Sequence, residues 1–152
     1  MAILRFLVIS ILLLPLSANG QIAFEKAYGA SQQESGHGIV QLPDSSYIIV
    51  GTTSSSPTLT ADVLFLKIDS SGNDIWAKTA GGSNVDRGYE IIHTSDGNLA
   101  AVGFTNSSGN GGYDVFFLRL DYNGAILQSR TYGGTDWDFG YSLTETQDGG
   151  IV

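Results

Sequence analysis

The sequence predicts an all-β protein made of tandem four-stranded antiparallel units, and three observations carry that expectation. Many residues recur at a fixed interval of 52. Each interval holds four short strand-like runs separated by turn residues, and no helical stripe follows residue 20. The recurrence is gapless: Gly29, Gly81 and Gly133 share it, as do Glu34, Asp86 and Asp138, then Gly36, Gly88 and Gly140, then Asp44, Asp96 and Asp148. Between the first two intervals it also relates Val50-Gly51 to Val102-Gly103, Thr53 to Thr105 and Asp62 to Asp114. Agreement at so many positions in one register marks a repeat architecture.

Taken in order, residues 1–20 read as a secretory signal. Arg5 precedes an apolar run over 6–14, Pro15 breaks it, and Ala18 and Gly20 place small side chains where signal peptidase needs them. The run is too short for a spanning helix, which needs about 20 apolar residues. Residues 22–28 align with the fourth run of the later intervals, so a strand of that type is expected there. The repeat cores are 36–80, 88–132 and 140–152, the last incomplete. In the second core, 88–95 is the first strand and Asp96-Gly97-Asn98 the turn, because Gly and Asn tolerate positive φ. Residues 99–105 form the second strand and 106–112 a polar loop. The third strand, 114–121, turns at Tyr122-Asn123-Gly124 into the fourth, 125–132.

The runs IIVG, VLFL and VFFL alternate poorly, which suits strands covered on both faces. Four antiparallel strands per interval, each sheet covering its neighbours, describes β-propeller blades. A parallel β-helix has shorter coils without regular Asp-Gly hairpins, and a β-sandwich would not give a gapless repeat. Closed propellers need about four to eight blades. Two full intervals plus pieces therefore suggest either part of a longer protein or a ring closed by self-association through open sheet ends.

The pattern Tyr132-Gly133-Gly134-Thr135, Asp138-x-Gly140-Tyr141-Ser142, Thr146-x-Asp148-Gly149-Gly150-Ile151-Val152 resembles bacterial secreted β-propeller repeat proteins. Many of these end in a type IX secretion sorting domain. The resemblance implies a propeller fold and a secreted or cell-surface location, and it is nearly silent on activity.

Composition removes several functions. Fifteen acidic against seven basic side chains give a net charge of −8, with no long-range attraction for nucleic acid or anionic lipid. The absence of cysteine excludes disulfides, thiolate metal sites and cysteine nucleophiles. No second segment is apolar enough to span a bilayer once the leader is cleaved.

The repeated acids admit two readings. Glu34, Asp86 and Asp138 occupy one loop position, and Asp62 and Asp114 begin the third strand. Such acids, related by rotation, could ring a channel and bind Ca²⁺. The favoured reading is that each accepts backbone N–H bonds and holds its own corner, because every copy needs that corner held. Neither a metal nor a cofactor is expected. The segment 69–74 resembles the start of a calcium loop, but Ala80 stands where the closing Glu belongs. His37 and His93 read as ordinary strand residues. No serine sits in a nucleophile elbow. Trp137, between Asp136 and Asp138, reads first as a packing residue between blades; the alternative is a platform for a sugar ring, with the acids accepting its hydroxyls. The expected function is an exported non-catalytic module, a scaffold or a binding surface for a glycan or protein. The competing class is a glycan hydrolase using Asp136 and Asp138 as paired carboxylates.

Overall fold

The structure is a computed structural model that describes residues 24–29, 33–55 and 60–152. The leader lies outside the described residues. Among them the fold is all-β, with eight strands and no helix: β1 (Gln33–Gln41), β2 (Tyr47–Ser55), β3 (Thr60–Ile68), β4 (Asp74–Ala80), β5 (Asp86–His93), β6 (Leu99–Thr105), β7 (Asp114–Leu120) and β8 (Ile126–Tyr132). They form two antiparallel four-stranded sheets, β1-β2-β3-β4 and β5-β6-β7-β8. The strands expected in the second core match β5 to β8 within two residues at each end.

Local chemistry sets the hairpins. The β5–β6 turn is closed by Gly97 N–H donating to Thr94 O at 3.0 Å, and Gly97 has φ of 80°. Gly149 N–H donates to Thr146 O at 2.9 Å with φ of 82°. The β1–β2 turn keeps the same bond, Ser45 N–H to Leu42 O at 2.9 Å, but carries a serine at φ of 66°. A side chain with a Cβ is strained in this left-handed region. Ser45→Gly is therefore expected to raise stability by about 0.5–1 kcal/mol, the relief being partly offset by the freer unfolded chain. A urea midpoint no higher than wild type would contradict this.

The two sheets stack face to face. The first supplies Ile48, Val50, Val63 and Phe65; the second supplies Ile91, Leu99, Ala101, Phe116, Leu118 and Leu120. All are nearly inaccessible to solvent. Strand β6 is buried along its whole length. Glycine makes the stacking possible at the joint: a Cβ on Gly88 would lie 2.5 Å from Val50 Cγ2 and 2.8 Å from Val63 Cγ1. The arrangement recurs one interval later, where a Cβ on Gly140 would lie 2.5 Å from Val102 Cγ2 and 2.9 Å from Val115 Cγ1. There, residues 138–152 lie over the second sheet, with Leu143 buried against Ala100 and Val102. They close a short hairpin through paired bonds between Thr144 and Val152 of 2.8 and 3.0 Å. The cover is partial. Val115 and Phe117 are half-buried, whereas Val63 and Phe65, their counterparts in the first sheet, are fully buried.

The strand expected over 22–28 is not formed in the described residues 24–29, and residues 22 and 23 lie outside the described ones. Their side chains nonetheless sit as the alignment predicts. Phe24 lies against Gly72, and Lys26 Nζ donates to Gly72 O at 2.9 Å. One interval later Trp76 lies against Gly124, and Lys78 Nζ donates to Asn123 O at 2.6 Å.

Candidate functional site

Three sets of predicted residues fall in three different places. The hairpin acids hold their own turns. Asp44 accepts from Ser46 through both hydroxyl and backbone N–H, and these two bonds, hydroxyl first, hold its carboxyl below the usual range. Asp96 is held far lower by the Thr94 hydroxyl, the Asn98 amide and the Arg119 guanidinium, in that order. Asp148 is lowered in the same manner, first by the Thr146 hydroxyl and then by Gly150 N–H. Hydrogen bonds to the charged form produce all three shifts.

The corner acids do more than hold one loop each, for the structure brings them together in pairs. Asp86 Oδ2 accepts from Gly82 N–H at 2.7 Å and from the Ser107 hydroxyl at 2.7 Å. Asp62, at the end of the first sheet, converges on the same corner: a Cβ on Gly81 would lie 2.3 Å from Asp62 Oδ1 and 2.6 Å from Asp86 Oδ2. Asp114 and Asp138 repeat this around Gly133, at 2.3 and 2.7 Å. Asp138 Oδ2 accepts from Gly134 N–H at 2.9 Å, and Asp114 Oδ2 from Asn110 N–H at 3.0 Å. Glu34 stands in the same relation to its glycine, its Oε2 lying 3.1 Å from a Cβ on Gly29. Burial raises the carboxyl of Asp62, and the charge of Asp86 raises it further. The folded state thus binds the Asp62 proton more tightly than the unfolded chain. This position loses stability as pH rises from the ordinary carboxylate value through the raised one.

Third is an aromatic surface. Trp137 is 67% exposed, with Gly112 under its indole and the ring of Tyr113 edge-on at 5.3 Å. From there the rings continue without a break: Tyr113 to Phe139 at 5.6 Å, Phe139 to Tyr141 at 6.2 Å, Tyr141 to Tyr89 at 5.1 Å, and Tyr89 to His37 at 5.0 Å. Phe104 backs the row, touching Phe139 at 4.8 Å and Tyr113 at 5.0 Å. A groove of about 330 Å³ follows its far end, lined by His37, Tyr89, Glu90, Tyr141 and Ser142. Glu90 is already partly engaged, accepting from Leu143 N–H at 3.0 Å. This surface offers flat apolar faces beside a few polar groups, the means of recognising a ligand that is apolar on its faces and polar at its edges.

Trp137 and Asp138 were expected to act together, but Asp138 is committed to the Gly133 corner. Asp136 is exposed nearby, and its backbone carbonyl lies against Gly112. Sequence reasoning missed Tyr89, Tyr113, Phe139 and Tyr141. A signal was present: positions 37, 89 and 141 share the interval, though the first copy has His where the others have Tyr. His93 meets the Tyr122 hydroxyl, and His37 the Ser35 hydroxyl.

No protein-family model matches the chain, and no curated protein matches it.

Proposed function

We propose that the chain is an exported β-propeller module that binds glycans through its aromatic surface and carries out no chemistry. The stacked four-stranded sheets, with a glycine at each joint, support the propeller reading. In a closed ring the half-covered Val115 and Phe117 face belongs to the next blade. The leader over 1–20 supports export, and the resemblance to secreted propeller repeats adds a cell-envelope or extracellular setting. The absence of catalysis rests on how the acids are used: hairpin acids hold turns, and corner acids face one another beneath glycines.

The observation that carries the binding function is the exposed row from Trp137 to Tyr141. Trp137 is 67% and Tyr141 62% exposed, and the other large rings among the described residues are better covered. An exposed run of aromatic side chains of this extent marks a binding surface. A sugar ring stacks its C–H face on such a surface and directs its hydroxyls toward Asp136, Glu90 and Ser142. On a glycan array, wild type is expected to retain a defined subset of glycans, and Trp137→Ala to bind them at least about tenfold more weakly. Tyr141→Ala should show a similar loss. An array on which wild type binds nothing, or on which Trp137→Ala binds as wild type does, would overturn the reading.

A further inference from the structure

The corner where the two sheets meet encloses a carboxylate with half of its charge unanswered. Asp86 is wholly inaccessible to solvent. Its Oδ2 has the two donors described above, but Oδ1 is equally enclosed and has no hydrogen-bond donor. An enclosed charged oxygen without a partner is strongly disfavoured. Across the same glycine stands a second carboxylate, Asp62, and neither acid belongs to an ion pair. The ion pairs among the described residues are Lys67–Asp44 and Arg119–Asp96. Two negative charges share a corner that supplies no cationic side chain.

The missing counter-charge has a chemical specification. It must satisfy carboxylate oxygens, and it must tolerate an irregular set of them. It must also accept water for the rest of its shell, since among the described residues no cluster of three or more acidic or histidine ligands occurs. Asp62 is only half-buried, which leaves water a way in. These are the requirements of Ca²⁺; Mg²⁺ demands a near-ideal octahedron. We propose that the Asp62–Asp86 corner binds a divalent cation of the Ca²⁺ type, held by the two carboxylates that converge on Gly81. The ion joins β3 of the first sheet to β5 of the second. In a chain without cysteine it acts as a staple between sheets where no disulfide can form. The period gives Asp114, Asp138 and Gly133 the same geometry, with Asp114 enclosed.

Sites with few charged ligands bind Ca²⁺ with Kd on the order of 10⁻⁴ to 10⁻³ M, so the test uses millimolar metal. The full chain is melted at pH 7 in EDTA, in CaCl₂ and in NaCl of matched ionic strength, as wild type and as Asp62→Asn. Asp62→Asn preserves shape and leaves both donors of Asp86 in place. Calcium is expected to raise the wild-type melting temperature by roughly 3 °C or more, with a much smaller effect on Asp62→Asn. In EDTA the order reverses, Asp62→Asn melting above wild type because the like-charge contact is gone. Calorimetric titration of wild type with CaCl₂ provides a readout independent of the variant, and saturable binding in the millimolar range is expected. A calcium shift equal in both proteins, or no saturable binding by wild type, would overturn the proposal and leave a proton shared between the two acids as the explanation of the corner.

Discussion

Phe65→Ala is expected to destabilise the protein by about 3–5 kcal/mol, against about 1–2 kcal/mol for Phe117→Ala. The two phenylalanines are equivalent in the repeat, one interval apart, and occupy the same place on the third strand of their sheets. They differ in what covers them. Phe65 is 1% exposed in the cluster formed by both sheets, while Phe117 is half-buried beneath residues 138–152. Truncating Phe65 leaves a cavity in a layer that cannot collapse, because strands on either side are held by their own ladders. Truncating Phe117 removes less buried area, and the shorter hairpin over it can settle. Urea unfolding followed by the fluorescence of Trp76, which packs against the first cluster, measures both. Equal losses at the two positions would mean that the sheets are not stacked as described. The comparison isolates the contribution of sheet-on-sheet burial from the contribution of a phenylalanine within a strand, because the strand context is the same.

Much of the fold was legible because turn chemistry and periodicity are local properties. Asp96-Gly97-Asn98 and Tyr122-Asn123-Gly124 mark where β5, β6, β7 and β8 start and stop, and no tertiary information is needed to see it. What could not be read is how successive sheets meet. Asp62 and Asp86 belong to different positions of the repeat, and nothing in their spacing says that one glycine lies under both. The joint is made by stacking, through the bond from Ala61 N–H to Asn84 O of 3.1 Å and the approach of Gly88 to Val50. Adjacency in sequence also misled the grouping of Trp137 with Asp138. Neighbouring residues in extended chain point to opposite sides, so Trp137 faces solvent while Asp138 turns into its corner. The aromatic row draws on strands and loops from three intervals, and only one member, Trp137, stood out by its own rarity. The strand expected at 22–28 shows the same limit: the side-chain contacts of Phe24 and Lys26 followed the alignment, but no strand formed over the described residues 24–29.

Gly103→Ala is expected to cost more than about 3 kcal/mol, a large part of the roughly 5–15 kcal/mol by which an ordinary domain is stable. A Cβ at this position would lie 1.7 Å from the Arg87 carbonyl oxygen and 3.0 Å from Gly88 Cα. Both are backbone atoms of β5, so no rotamer change makes room. Moving β5 away is also blocked, since Gly88 already rests on Val50 and Val63 of the first sheet. The pairing of Gly88 with Gly103, just before the register shift between Gly88 and Glu90, therefore has no freedom in either direction. Gly51 repeats the constraint, with the Ser35 carbonyl oxygen 1.8 Å from the corresponding Cβ. Two other glycines serve as controls. Gly97→Ala meets no atom within 4 Å but forces a side chain to a φ of 80°, an expected loss of about 1 kcal/mol. Gly134→Ala meets no atom within 4 Å and has no such backbone strain, so it should fall within about 0.5 kcal/mol of wild type. Urea midpoints in the order Gly134→Ala, Gly97→Ala, Gly103→Ala, from highest to lowest, test the three mechanisms together. A Gly103→Ala midpoint near that of Gly97→Ala would show that β5 and β6 do not approach so closely. The glycine pair would then be a consequence of the turn chemistry alone rather than the point on which each sheet seats against the last.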